Sequence, residues 1–483
     1  MNLSGQRLSF GVEAEFLIPW RFDDETDPDS NISGLPPLFR IPSNMRDEIM
    51  QSKEPENITG PFLFKSIEKT LETSGLSSQY SHTSALGKPL SAPPSPPRYL
   101  NWGVEADGSV VEEGDDKYQT QLNNETFQQW IGLELQSPAE FEAQVAFDAI
   151  PYAFNITKKS YRCLINYSCS IHVHVGVGEE FMDLQMIRRV ATLAYAVDPL
   201  LFTLHHPIRQ VSEWCRSIRD YSKMAMGVST VLPHTNSLIG STCVRYLGRD
   251  VRYGEEPISW RSSNSTPAAI AAFELTRQPN HFEPFQHASP ASTVVLPHAS
   301  IRQRKTPRVK LPRLSAQRLD ELAADLWASV VFPISSKARQ NKAQGNVGVF
   351  EAARRIYEAN SSCAIAMLLR TDNMTASINF EAYTCIPLQG SKPRPTIEFR
   401  IGEGGLDDWA KWWARICVGL VRFAIHSPVD EFLRVLQNCD IAARQDGQYD
   451  VLDLLDDIGL FAEAEAAEER ILKKKDEWKL DFA

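Results

Sequence analysis

The chain is predicted to fold as an α+β protein in which helices cover one side of an antiparallel sheet. Four short segments alternate apolar and polar residues with a period of two, which is typical of strands with one buried face. They are residues 8–16, 130–136, 171–175 and 396–401. Longer segments with apolar residues at helical spacing lie elsewhere in the chain, and they are predicted to be helices. The clearest of these are residues 180–205, 318–331 and 407–425.

The 483 residues allow one large elaborated domain or two ordinary ones, because a single core stops growing near ~300 residues. We predict a main domain over residues 1–427 and an acidic helical C-terminal extension over residues 428–483. Segments rich in Pro, Ser, Asn or Asp interrupt the main domain. They are predicted to be inserted loops, at residues 21–60, 87–97 and 248–313.

The formal net charge is −11, from 50 basic and 61 acidic residues. The C-terminal extension holds 15 acids and 7 bases, and therefore −8 of that charge. The rest of the chain is close to neutral, whereas a nucleic-acid-binding protein usually has a basic excess. The basic segment 302–313 has six cations in twelve residues. We interpret it as a solvated loop or a cover of the site, in preference to a polyanion-binding segment.

The eight cysteines include no C-x-x-C pair, which suits a reducing compartment better than a disulfide framework. No run approaches the ~20 apolar residues of a membrane-spanning helix. The first residues have the pattern of a strand and lack the apolar region of a signal peptide. We therefore expect a cytoplasmic protein with neither a membrane nor a nucleic acid as partner.

The polar positions of the four predicted strands carry an unusual set of side chains. They are Glu13, Glu15, Glu134, His172, His174, Glu398 and Arg400. Solvated strand faces explain the alternation, but not why Lys, Thr and Ser are almost absent. If the strands share a sheet, four carboxylates and two imidazoles gather in one concavity, where like charges need cations between them.

The chemistry of this donor set points to a class of cofactor. Carboxylates with a minority of imidazole suit Mg²⁺ or Mn²⁺ better than structural Zn²⁺. Arg400 beside Glu398 adds a fixed cation that can hold a phosphate oxygen. Divalent ions together with a phosphate clamp indicate ATP chemistry.

Five motifs in a fixed order carry a family resemblance. They are G-V-E-A-E (11–15), D-G-S (107–109), E-L-Q-S-P (134–138), S-I-H-V-H-V-G (170–176) and T-I-E-F-R (396–400). Together they resemble the amidoligase family, which is similar in fold to glutamine synthetase and glutamate–cysteine ligase. The resemblance implies a curved antiparallel sheet with helices packed on its outer face. It also implies an ATP-dependent carboxylate–amine ligase that forms an amide or peptide bond through an acyl phosphate.

The resemblance assigns roles to individual residues. The implied ligands of two or more Mg²⁺ or Mn²⁺ ions are Glu13, Glu15, Glu134, His172 and Glu398. The implied catalytic residues are Glu134, Glu398 and Arg400. The residues implied to contact ATP are His174, Asn379 and Arg400. Those implied to contact substrate are Asp107, Ser109 and Arg209, and for the D-G-S residues Asp107 and Ser109 contact with a metal loop is the alternative. The family's basic-aromatic cluster before Asn379 is missing, because residues 373–378 read N-M-T-A-S-I.

Two other functions remain open at this point. His172, His174 and Glu179 fit H-x-H-x₄-E, which resembles the first motif of cupins, enzymes that would use one Fe or Mn ion and no ATP. Asn166 stands where that motif has glycine, and no second cupin motif is present. A degenerate ligase fold could also serve as a binding or scaffold protein, although the expected ligands are all retained. The substrates are expected to be a small carboxylate, such as an amino acid, and an amine that the motifs do not identify.

Overall fold

The computed structural model describes residues 7–77, 101–110, 130–178, 180–228, 308–311, 313–329, 347–371, 375–384, 395–444 and 448–480. The predicted insert at 87–97 and nearly all of the insert at 248–313 lie outside these residues.

A single sheet of eight strands organises the described part of the chain. The strands are β1 Ser9–Phe22, β2 Phe39–Ile41, β3 Gly103–Ala106, β4 Trp130–Gln136, β5 Glu140–Phe141, β6 Ser170–Gly176, β7 Ile378–Asn379 and β8 Thr396–Glu403. Their order is β3-β4-β1-β6-β8-β7, and every neighbouring pair in it is antiparallel. β5 pairs antiparallel with the start of β1, and β2 pairs parallel with its end. The predicted antiparallel sheet is confirmed.

Helices supply the rest of the regular structure. They are α1 Arg46–Gln51, α2 Glu56–Thr73, α3 Gln144–Ser160, α4 Leu184–Leu201, α5 Ile218–Tyr221, α6 Ala316–Ser329, α7 Val349–Glu358, α8 Ser362–Leu369, α9 Trp409–His426, α10 Val429–Arg444, α11 Val451–Asp457 and α12 Phe461–Lys474. The three helices predicted from periodicity correspond to α4, α6 and α9. The α+β class is therefore confirmed.

The main hydrophobic core lies between one face of the sheet and the helices. In β1, Phe10, Val12 and Phe16 point into this core, while α9 contacts α3, α4, β1 and β6. Trp413 of α9 is fully buried and meets the ring of Phe399 edge-on at 6.3 Å. Burial of such side chains stabilises the fold by about 2–3 kcal/mol each. Because the helices occupy the apolar face, the polar residues of the strands are left on the opposite face.

The segment 21–60, predicted as an inserted loop, contains regular structure. It includes the end of β1, all of β2 and α1, and the start of α2. Arg162 fixes this segment, since its guanidinium donates to both carboxylate oxygens of Asp27 at 2.9 and 2.6 Å and to the carbonyl of Pro36 at 2.8 Å. A polar, proline-containing composition therefore does not exclude short strands and helices, such as β2, which pairs with the end of β1.

The C-terminal segment that begins at residue 428 forms α10, α11 and α12. Phe432, Leu454 and Trp478 from this segment are buried in the main hydrophobic core. The extension is therefore packed as part of the same body rather than as an appendage. None of the helices in the described part of the chain combines the length and apolar character that crossing a bilayer requires.

Candidate metal centre

The sheet register brings the predicted polar residues together on the face away from the helices. Glu13 pairs with His172, and Glu15 pairs with Glu134. In the next strands His174 pairs with Glu398. Directly paired residues of antiparallel strands lie on the same face, so residues as distant in the chain as Glu13 and Glu398 become neighbours.

The first cluster consists of Glu13, His174 and Glu398, each offering a ligand atom within 4.8 Å of the others. His174 Nε2 lies 3.1 Å from Glu13 Oε2 and 4.0 Å from Glu398 Oε1. The resemblance gave His174 a contact with ATP, whereas the geometry places its ring beside two carboxylates. His174 is therefore also a candidate metal ligand.

The second cluster consists of Glu15, Asp107 and Glu134, which satisfy the same distance criterion. Asp107 follows β3, and its Oδ1 accepts hydrogen bonds from the backbone N–H and the hydroxyl of Ser109, both at 2.6 Å. The D-G-S motif thus forms a turn in which Ser109 orients Asp107. The resemblance implied that these two residues contact substrate or a metal loop. In the structure Asp107 lies with two glutamates, and the Ser109 hydroxyl donates to Asp107.

His172 lies between the two clusters. Its Nδ1 is 3.6 Å from Glu13 Oε2 and 3.5 Å from Glu398 Oε1, while its Nε2 is 2.6 Å from the hydroxyl of Ser170. Ser170 donates its hydrogen to Glu15 Oε2 at 2.6 Å, so Nε2–H of His172 donates to Ser170. In the neutral imidazole, the lone pair on Nδ1 then faces the first cluster. His172 remains a candidate ligand there.

The carboxylates lie close together in buried or half-buried positions, and their pKa values reflect this. Burial raises the pKa of Glu134 well above its ordinary value, and Glu13 and Asp107 add to the effect. Burial also raises the pKa of Glu15, although His172 opposes the shift. Glu15 Oε1 is buried and has no hydrogen-bond partner among the described residues. A divalent cation would relieve both the repulsion and the unpaired oxygen, and this oxygen-rich donor set fits Mg²⁺ or Mn²⁺.

Divalent-ion binding is expected to depend on pH. The pKa values of Glu15 and Glu134 are raised in the metal-free folded protein, so these carboxyl groups keep their protons to a higher pH than in the unfolded chain. In the unfolded chain a glutamate has a pKa of about 4.3. The stability of the metal-free protein should therefore fall as the pH rises from that value through the raised pKa values. A bound ion replaces these protons. Mg²⁺ or Mn²⁺ should thus raise the melting temperature more at about pH 8 than at about pH 5.5, as measured by thermal denaturation. The assignment of these residues as metal ligands would be contradicted if the ion raised the melting temperature equally at both pH values. It would also be contradicted if Glu134→Gln left this rise unchanged.

Arg400 stands beside the first cluster. Its Nη1 donates to Glu398 Oε1 at 2.6 Å, and its Nε donates to the carbonyl of Trp214 at 3.3 Å. Burial alone would raise the pKa of Glu398, but Arg400, His174 and His172 lower it to about 2. Asn379, predicted to contact ATP, donates from Nδ2 to Glu398 Oε2 at 2.9 Å. Both Arg400 and Asn379 therefore hold Glu398 in its ionised form.

Arg209, which the resemblance implied to contact substrate, is buried against β8. Its side chain is among the largest that are fully buried, and its residue exposure is 1%. It donates from Nε to the carbonyl of Ile401 at 3.3 Å and from Nη2 to the carbonyl of Arg400 at 2.8 Å. These contacts are with the backbone of β8, and the contact with a substrate carboxylate stays a prediction.

Several residues of this face were missed in the sequence. Glu105 on β3 pairs in register with Glu134, and it belongs to the same alternation, since Gly103 and Glu105 oppose Val104 and Ala106. Ser170 was quoted only as part of a motif, although it joins His172 to Glu15. The alternation could have found Glu105. Glu179, which the cupin alternative requires, lies outside the described residues.

Comparisons with known proteins support the resemblance. Residues 6–232 match a family model described as "Putative amidoligase enzyme". This range contains both clusters except Glu398, and it ends before β7 and β8. Neither the curated proteins nor the solved structures gave a match. Over residues 6–232, the chain is therefore similar to the amidoligase family that its motifs resemble.

Proposed function

We propose that the protein is an ATP-dependent carboxylate–amine ligase, which forms an amide or peptide bond through an acyl-phosphate intermediate. One observation carries the proposal: two clusters of potential metal ligands and the half-buried Arg400 share one sheet face in a chain with an amidoligase match. The proposal includes a glutamine synthetase-like fold and a cytoplasmic location.

Each cluster would hold one divalent ion. Glu13, His174 and Glu398, with His172 beside them, form one ligand set, and Glu15, Asp107 and Glu134 form the other. When bound, such ions neutralise phosphate oxygens and orient the reacting groups. The carboxylates need no rearrangement of the sheet to serve as ligands, because the strand register already brings them together.

Arg400 is proposed to stabilise the phosphoryl group during its transfer. The γ-phosphorus of ATP forms a bond to a carboxylate oxygen of the substrate as its bond to ADP breaks. Arg400 offers a fixed positive charge at this position, since its Nη1 and Nε are tethered to Glu398 and to the carbonyl of Trp214. Preorganised charge of this kind lowers the barrier without reorganisation. The amine then attacks the acyl carbon, phosphate leaves and the nitrogen loses a proton.

The substrates are proposed to be a small carboxylic acid, such as an amino acid, and an amine. Specificity would reside in the segments 21–60 and 248–313, because the clusters and Arg400 serve only the ATP and metal half of the site. The Arg162–Asp27 pair, with N···O distances of 2.6 and 2.9 Å, would give the segment 21–60 a defined position for that task.

Incubation with Mg-ATP and pooled acids and amines tests the proposal. ADP release should accompany a new mass equal to acid plus amine minus water. Metal-dependent turnover without ATP would support a cupin-like single-metal enzyme instead. Stabilisation by Mg-ATP with no product from any pool would indicate a binding or scaffold protein. Thermal denaturation with Mg-ATP distinguishes these cases, because ligands stabilise the state that binds them.

A further inference from the structure

A bulge in β8 lies opposite His172. Val173 of β6 pairs with Phe399 of β8, whereas Ile171 pairs with Gly402, so the register shifts between them. One residue of β6 therefore faces two residues of β8, Arg400 and Ile401. Bulges of this kind change the direction of a side chain and interrupt the ladder of hydrogen bonds. The bulge thus decides where the side chain of Arg400 points.

Arg209 contacts the bulge directly. It lies in the short 3₁₀ helix Pro207–Gln210, and its two donors reach the carbonyls of both bulged residues, at 2.8 Å for Arg400 and 3.3 Å for Ile401. A guanidinium presents two parallel N–H groups along one edge, which a lysine ammonium does not. The side chain of Arg209 can therefore donate to two successive carbonyls, which a regular ladder of hydrogen bonds would not place side by side.

The same stretch of chain also holds the side chain of Arg400. Trp214, five residues after Arg209, provides the carbonyl that accepts from Arg400 Nε at 3.3 Å. The thiol of Cys215 donates to the carbonyl of Arg209 at 3.1 Å, which ties the two parts of this stretch together. On the other side, the backbone N–H of Arg400 donates to the carbonyl of Ser377 at 2.8 Å.

From these contacts we propose that Arg209 is a positioning residue, which fixes the bulge of β8 and so aims Arg400 at the transferring phosphoryl group. The part of this inference that concerns the phosphoryl group rests on the proposed function. The part that concerns the orientation of Arg400 does not. Arg209 itself touches no reacting atom, because it is buried beneath the backbone that it holds.

The test is Arg209→Lys, which keeps the charge but loses the paired donors. In protein labelled with ¹⁵N-arginine, the Nε–H signal of Arg400 is identified by its loss in Arg400→Lys. Its exchange with solvent should accelerate about tenfold in Arg209→Lys, because the hydrogen bond to Trp214 is weakened. Unchanged exchange of this signal would overturn the proposal. If Arg209→Lys folds poorly, Arg209→Gln, which retains one donor, gives the same comparison.

Arg188→Lys is the matched control. Arg188 is also buried, and its Nη2 donates to a backbone carbonyl, that of Ala359, at 2.7 Å. The control removes a comparable contact outside the site and should leave the Arg400 signal unchanged. If it accelerates exchange as much as Arg209→Lys does, the effect is one of general stability and the proposal fails.

Binding of Mg-ATP gives a second readout. Arg209→Lys should weaken the binding of Mg-ATP about tenfold when it is introduced into the wild-type protein. Introduced into Arg400→Lys, it should weaken binding no further, because both changes remove the same interaction. Additive losses would contradict a positioning role. A wild-type protein that does not bind Mg-ATP would overturn the proposed function, while the exchange measurement would still decide the role of Arg209.

Discussion

Glu398→Gln is expected to lower ATP-dependent amide formation by about a thousandfold or more. Its carboxylate lies 4.0 Å from His174 Nε2, 3.5 Å from His172 Nδ1 and 2.6 Å from Arg400 Nη1. Burial alone would raise the pKa of Glu398, but Arg400, His174 and His172 lower it to about 2, so Glu398 is ionised at neutral pH. Glutamine has the same shape but no charge, so the substitution removes a metal ligand and the partner of Arg400.

Two measurements separate this effect from unfolding. Amide formation is followed by mass with the substrates found in the pooled assay, and Mn²⁺ binding is followed by calorimetry. Amide formation and Mn²⁺ binding to the first cluster should be lost in Glu398→Gln, while the second cluster still binds one ion and cooperative thermal unfolding is retained. Glu72→Gln serves as the control, since Glu72 is an exposed glutamate of α2 and its substitution should change neither quantity. Normal amide formation by Glu398→Gln would remove the basis for the ligase assignment.

The side on which each polar residue lies could be predicted from sequence, because a strand has a strict period of two. The alternation from Leu8 to Phe16 places Glu13 and Glu15 on one face wherever the strand lies in the sheet. The register is different: nothing local to β1 shows that Glu13 will pair with His172 rather than with His174. A shift of two residues preserves the face and exchanges the partners. The partners and the distances within each cluster therefore came only from the structure.

The environment of Arg400 could not be predicted for a related reason. The bulge opposite His172 depends on contacts between β8 and Arg209. Arg209 precedes Arg400 by 191 residues and Ile401 by 192 residues in the chain. A short T-I-E-F-R segment gives no sign that its regular alternation is interrupted just after the arginine. The D-G-S turn, by contrast, is local. The hydroxyl of Ser109 bonds to a carboxylate two residues away, and such Asp-Gly-Ser sequences favour turns in many contexts.

The basic segment 302–313 shows how composition can mislead. Its described residues 308–311 and 313 contact the acidic C-terminal helices. Arg308 Nε lies 3.0 Å from Asp456 and its Nη1 lies 3.1 Å from Glu468. The backbone N–H groups of Val309 and Leu311 donate to the carboxylates of Glu468 and Asp450 at 2.7 and 3.0 Å. Arg308 and Lys310 thus form ion pairs with the acidic extension, although the two look like separate charged segments in sequence.

Arg308→Met is accordingly expected to lower the free energy of unfolding by about 3 kcal/mol, as measured by urea denaturation. The side chain of Arg308 is 8% exposed, and those of Asp456 and Glu468 are 12% and 18% exposed. Removal of one partner from such a buried arrangement leaves two carboxylates without their cation, which is costly. Arg318→Met is the matched control, because Arg318 pairs with Glu321 at the surface, with side chains 32% and 49% exposed. It should change the stability by less than about 1 kcal/mol.

The comparison also decides between the two interpretations of the basic segment. If the cations of the basic segment bind polyanions, Arg308→Met should weaken binding to heparin. Its free energy of unfolding should then be the same as that of Arg318→Met. If the cations dock the segment onto α11 and α12, stability should fall and heparin binding should be negligible in wild type as well as variant. Docking is expected, because Arg308 donates to both carboxylate oxygens of Asp456, at 3.0 and 3.1 Å. A polyanion would have to displace these carboxylates before it could reach the guanidinium.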